Sequence, residues 1–428
     1  MTAEAVAASN LTRRTVLGAG LGAMASPALP GRPSPPALWI PGYDSTKAIF
    51  DGLPAREHPH IGRAVPEGYD GPVTLLTRVD LETGALDHAA YPVQGHVVAM
   101  DRASGIGVLH AQSRDWNVAF DMDSLDMLAA SRPFKGHHTG GGHAEFIRGG
   151  SVLLTAERAA YGAYLGAPEL HFGRIAIREP ATLREIGQIS SHGIGPHDIQ
   201  LLDDGQTLAI ANYGTVKPHR CGGKDEPGIE PSLSLVEIES GKLVEKFVLD
   251  DPDYQIRHFA VGGLNRIQAI QVREGNSTAL AEAIGGAPVE TDLTAVRGCA
   301  YLPAPMLSVR LGESGLPPAL IEPDNAALMR QGLSILHDPI HAQFIASFPS
   351  AHCLIVCDDT DGRAVTIIDT RTVGLRYPCG LAIAPGGAHY LVAGSFGPVR
   401  AFATGSHRPL PQHGLDIALH RHSHIKIA

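Results

Sequence analysis

The sequence predicts an all-β fold: a seven-bladed β-propeller of four-stranded blades, closed by the C-terminal strand. Three observations predict it. Short apolar runs alternate with Gly-, Asp- and Ser-containing turns along nearly the whole chain. One stretch recurs: Gly195-Pro196-His197-Asp198 leads into Ile199 to Leu202, turns at Asp203-Asp204-Gly205 and returns as Leu208 to Asn212. Similar openings stand at His96, His143, His258, His341, Cys379 and His424, 38 to 83 residues apart. A repeat of roughly 40–50 residues carrying four strands is a propeller signature, and insertions stretch the longer intervals. Finally, the opening at His424 has one strand only, whereas Trp39 to about Tyr91 supplies three. Joined, they complete one blade and remove the exposed sheet edge that invites aggregation.

Composition agrees. With 428 residues, 49 Gly, 32 Pro and only 5% aromatics, the chain suits many short elements joined by turns. A net charge of −10 with no Lys/Arg cluster points away from nucleic acid. The start is a separate matter. Arg13-Arg14 precedes a weakly apolar run, and Ala23-Met24-Ala25 offers a small-x-small cleavage site before Ser26. This predicts a twin-arginine signal peptide over 1–25, a linker over 26–36 and a single propeller domain over 37–428, located in the periplasm. That pathway moves folded proteins, often with a cofactor in place. No later stretch reaches the roughly 20 apolar residues of a membrane span, and a monomer is expected. The five cysteines are odd in number and lack a C-x-x-C, so no disulfide pairing is dictated.

Taken in order, Ala37 to Ile40 and Val73 to Val79 read as strands of the split blade. His96 to Met100, Ile106 to Leu109, Trp116 to Asp121 and Met127 to Ala129 form the next. His143 to Ile147 returns as Val152 to Glu157 and continues with Arg174 to Ile177 and Arg184 to Gly187. The His197 hairpin is completed by Ser234 to Ile238 and Leu243 to Phe247. Arg257 to Val261 and Arg266 to Ile270 precede a long insertion, Glu274 to Pro305, before Leu307 to Leu311. Asp324 to Gln331, with Asp as N-cap and Gly332 beyond, reads as a connecting helix. His341-Ala342-Gln343-Phe344-Ile345 nearly repeats His143-Ala144-Glu145-Phe146-Ile147 and so predicts the next innermost strand. Cys379 to Ala384 opens the last internal blade.

The first strand of each blade borders the central channel, so the opening residues gather at one mouth. Imidazole is the commonest metal ligand and suits Zn, Cu, Fe or Ni. The candidate ligands are therefore His96, His143, His197 and His258, with His341 and His424 flanking. The cofactor expected is a transition-metal ion: iron, copper or zinc. Second strands end beside first-strand starts, which places Glu157 near His143, Asn212 near His197 and Asp358 near His341 as groups that orient the rings. His137-His138 lies in a Gly-rich loop that covers the mouth or is simply solvated. Asp358 to Gly362 reads as a hairpin turn, not a calcium loop. There is no Gly-x-Ser-x-Gly, phosphate loop or dinucleotide fingerprint.

The twin-arginine start, Gly193-Ile194-Gly195-Pro196-His197-Asp198, Asn212 with its loop to Pro231-Ser232-Leu233, and Ile256-Arg257-His258-Phe259-Ala260-Val261 together resemble the bacterial exported family called domain of unknown function 1513. The resemblance runs from about Leu38 to the end. It implies a propeller of the quinoprotein dehydrogenase-like and YVTN-repeat kind. It also implies a periplasmic iron or metal role beside iron-uptake proteins of the imelysin-like type. Three functions stay open: metal binding for iron handling, an oxidoreductase using the same histidines, and an interaction scaffold whose histidines are structural.

Overall fold

The computed structural model describes residues 36–45, 49–50, 53–54, 72–112, 117–132, 138–159, 172–215, 229–263, 266–285, 299–313, 323–395, 397–417 and 424–428. The predicted signal peptide, the linker up to residue 35, His137, Cys221, residues 286–298 of the 274–305 insertion and His420-Arg421-His422 lie outside them. Among the described residues no helix is long and apolar enough to cross a membrane.

Seven antiparallel sheets follow one another around a ring, as predicted. Blade 1 combines Lys426–Ile427 from the C-terminus with Ala37–Ser45, Pro72–Asp80 and Leu86–Tyr91. The innermost strands of blades 2 to 7 are Gly95–Asp101, His138–Ile147, Pro196–Leu201, Tyr254–Val261, Ser334–Asp338 and Pro378–Ile383. Closure is a two-residue register, Leu38 opposite Ile427 and Trp39 opposite Lys426, extended by Ala37 N donating to Ala428 O at 2.8 Å.

Both faces of each blade are covered by its neighbours, which is why the strands read as apolar runs without clean alternation. Trp39, Leu76 and Tyr91 of blade 1 pack on Leu109, Val118 and Phe120 of blade 2. The same kind of layer recurs between each successive pair. The last layer joins Ala382, Leu391 and Val399 of blade 7 to Leu38, Ile40 and Val79 of blade 1, with Ile425 between them. The short C-terminal segment thus sits in a hydrophobic seam through Ile425 and Ile427 as well as in a ladder.

Blade 5 departs from the pattern. Arg266–Asn276 is 11 residues long and pairs with both Leu307–Arg310 and Cys299–Leu302. Its far end carries a helix over Ser277–Ala283, capped by Asn276 accepting from Ala279 N at 2.9 Å. The helix expected over 324–331 is only one turn, Pro323–Ala326. Met329 is drawn into the core between blades 5 and 6, and its carbonyl accepts from Ala304 N. Gln331 then turns with φ 58°, and Ile270 leaves no room for a Cβ at Gly332. Tertiary burial of one methionine overrides a weak helical preference.

Blade 6 corrects the reading of His341. Its innermost strand is Ser334–Asp338, and Gln343–Phe348 is the second strand, one place further out. His341 lies in the turn between them. Asp338 holds that turn, accepting from Ile340 N and His341 N and pairing with His341 Nδ1 at 2.8 Å. The pentapeptide shared with blade 3 therefore takes two different places in two blades. Asp358 to Gly362 is the hairpin turn expected, with Gly362 N donating to Asp358 O at 2.9 Å. Cys353, Cys357 and Cys379 are buried free thiols.

Candidate metal centre

The innermost strands of blades 2, 3, 4, 5 and 7 share an irregularity that blade 6 lacks. Near its start each shifts register against its second strand: between Gly95 and Val97, Gly140 and Ala144, Pro196 and Ile199, Ile256 and His258, and Pro378 and Leu381. A bulge re-aims side chains that an unbroken ladder would direct at the neighbouring blade. His96, His143, His197 and His258 all stand at such bulges. One donor atom from each lies within 4.8 Å of every other. His424, from the closing segment, joins them: its Nε2 is 3.2 Å from His96 Nε2, and its ring centroid is 4.6 to 4.9 Å from those of His258, His96 and His143. Five imidazoles from five blades thus meet on the axis. Cys379 occupies the matching place in blade 7, where its thiol faces Tyr377 O at 3.2 Å. His341 is outside the group.

The cluster is interior. His197 is fully buried and His96, His258 and His424 nearly so. Burial, and next the neighbouring imidazoles, hold His96, His197 and His258 well below the ordinary histidine pKa of 6.5, with Arg158 or Arg257 adding to the effect. The rings are therefore neutral at physiological pH, the form that binds metals.

Proton positions follow from the partners. Gly141 O can only accept, and it lies 2.5 Å from His197 Nδ1, so Nδ1 carries the proton and Nε2 the lone pair. Asp198 Oδ1 lies 2.8 Å from His143 Nδ1, which places a proton on that nitrogen. Asp198 Oδ2 accepts from Phe259 N and stands 3.9 Å from His258 Nδ1. His143 Nε2, His197 Nε2 and His258 Nδ1 are all buried without a hydrogen-bond partner. Unsatisfied buried nitrogens are rare because each costs about 1–3 kcal/mol, so three in one place call for an unseen partner. A cation with metal–nitrogen bonds of ~2.1 Å would accept ligands at most ~4.2 Å apart, so the widest pair needs only a small inward rotation.

The groups expected to orient the rings are elsewhere. Glu157 is fully buried, but its carboxylate is taken by Arg178 at 2.5 Å and Arg174 at 2.6 Å. Asn212 bonds to Ser232 and Ser234 of its own blade. The orienting carboxylate is Asp198, the residue after His197, shared across blades 3 to 5. Its place directly after His197 in the chain was the available signal. His110 was also missed: its Nε2 donates to Ala156 O at 2.8 Å, so its Nδ1, 2.5 Å from the Asn117 side chain, accepts from that amide in flipped orientation.

Gly140-Gly141-Gly142 brings His143 inward. Gly142 has φ +122°, and a Cβ there would stand 2.4 Å from His197 Cε1 and 3.0 Å from His96 Cδ2. Gly142→Ala is expected to cost about 3 kcal/mol from strain and crowding together. Gly84→Ala is the control, because Gly84 also has positive φ but faces open space. Urea denaturation should show a clearly smaller loss for Gly84→Ala, whose φ of 73° alanine adopts at lower cost and whose Cβ meets nothing.

Fold and site together define a class: a seven-bladed propeller with a buried axial histidine cluster that could hold a metal ion. The chain belongs to the family described as protein of unknown function (DUF1513), whose model matches residues 89–424. No curated protein matches the sequence. Among solved structures, a chain of hydrazine synthase from Kuenenia stuttgartiensis is similar with a TM-score of 0.53 and 13% identity, covering 80% of this chain and 94% of that one. At that identity the likeness speaks for the propeller fold alone.

Proposed function

We propose that this protein is exported by the twin-arginine pathway to the periplasm, where it binds a transition-metal ion and serves metal handling, with iron as the cargo. The observation that carries the reading is the convergence of imidazoles from four blades with three buried nitrogens unpaired. An all-nitrogen donor set suits iron, copper or zinc and disfavours calcium or magnesium. Asp198 accepts from His143 Nδ1, the kind of carboxylate contact that fixes the orientation of metal-binding imidazoles. The choice of iron, and of periplasmic iron-uptake proteins as partners, rests on the family resemblance and on Arg13-Arg14 with Ala23-Met24-Ala25.

Elemental analysis of protein purified from the periplasmic fraction tests this. Wild type is expected to carry about one metal ion per chain, and His143→Ala/His197→Ala less than a tenth of that. Equal, near-zero metal in both overturns the site. Copper or zinc in place of iron, from cells grown with iron in excess, overturns the cargo while leaving the site standing.

A further inference from the structure

Arg158 is the last residue but one of the second strand of blade 3, is 3% exposed, and has no carboxylate partner among the described residues. The buried arginines around it are compensated: Arg174 and Arg178 share Glu157, and Arg257 pairs with Glu274 at 2.6 Å. Arg158 instead donates Nη2 to Gly141 O at 2.7 Å and points Nε at Pro196 O, 3.5 Å away. Nη2 also lies 3.0 Å from His197 Nδ1. The guanidinium carbon stands 4.3 Å from the ring centroid of Tyr213, which itself lies 4.7 Å from the His197 ring. Nη1 is buried and bonded to nothing.

A buried cation without a counter-charge is costly, and one tyrosine ring offsets only part of that cost. Arg257 makes matters worse, since its guanidinium lies 5.3 Å from the centroid of the same ring. Asp198 is the carboxylate in contact with the histidines. A metal cation in the cluster would add further positive charge to a region already carrying it.

We propose that Arg158 holds a small planar oxyanion, a carboxylate or bicarbonate, at Nη1 beside the histidine cluster, and that this anion and the metal bind there together. The second half rests on the metal-binding reading. The planar guanidinium fork matches a planar oxyanion, and Arg is the residue for that geometry. Two ligands of opposite charge this close to one ring help each other equally.

Titration of the metal-free, full-length protein with cobalt(II) tests the coupling, in acetate or bicarbonate against chloride at equal ionic strength. Wild type is expected to bind cobalt about tenfold more tightly in the oxyanion. Arg158→Gln is expected to bind cobalt with no such difference. A wild-type affinity equal in all three anions overturns the coupling, as does an anion effect that persists in Arg158→Gln. The thermal midpoint of the metal-free protein provides the independent arm. A rise in acetate or bicarbonate over chloride, lost in Arg158→Gln, supports the anion site even if cobalt never binds, in which case only the metal reading falls. No rise in wild type overturns the anion site. Should the glutamine variant fail to fold, Arg158→Lys keeps the charge and removes the fork, and the wild-type comparisons still decide.

Discussion

The metal-free protein is expected to lose several kcal/mol of folding stability as the pH falls from 6.5 towards 4. Unfolded histidines take up protons near pH 6.5. His96, His197 and His258 resist protonation in the folded state to well below that value, chiefly through burial. His110, likewise buried, is lowered to about 4. Between the two limits the unfolded chain binds more protons than the folded one, so stability falls with pH. His110 alone contributes roughly 3 kcal/mol at 1.36 kcal/mol per pKa unit, and the three axial rings act in the same direction. Urea denaturation at pH 7, 6 and 5 measures this. A flat profile would mean that the rings are hydrated and the cluster is open to water. A bound metal would favour the neutral rings and push the loss to lower pH.

The second large effect is expected at Glu157. Burial alone would raise its pKa, but Arg178 and Arg174 more than reverse this and keep the carboxyl below its ordinary range. One buried carboxylate thus balances two buried guanidinium groups. Glu157→Gln leaves both cations uncompensated and should cost about 3–5 kcal/mol. Because Glu157 does not touch the histidines, the folded fraction of the variant should hold as much metal as wild type. Full stability with lost metal would be the opposite result. It would return Glu157 to the role that strand adjacency alone assigns it.

Much of this protein is readable from residue order. Apolar runs broken by turns specify short strands. Their recurrence specifies blades, and the split between Trp39–Tyr91 and the last strand specifies closure. His96, His143, His197, His258 and His424 are legible as one group because each opens the same structural unit. Such features repeat along the chain, so every copy reinforces the others.

What residue order left open depends on geometry between blades. His341 sits in a sequence almost identical to that of His143, yet Asp338 forms a turn that moves it one strand outward. Glu157 follows the strand rule for lying near His143, but two arginines on its own third strand reach it first. Asp198 and Gly142 matter because bulges rotate them towards neighbouring blades, and a bulge leaves no periodic mark in one strand. Local pattern determined most of the strands and their order, the innermost strand of blade 6, Ser334–Asp338, excepted. The tertiary structure decided which charges and ring nitrogens meet, because those contacts are set by register shifts of one or two residues and by the angle between adjacent sheets.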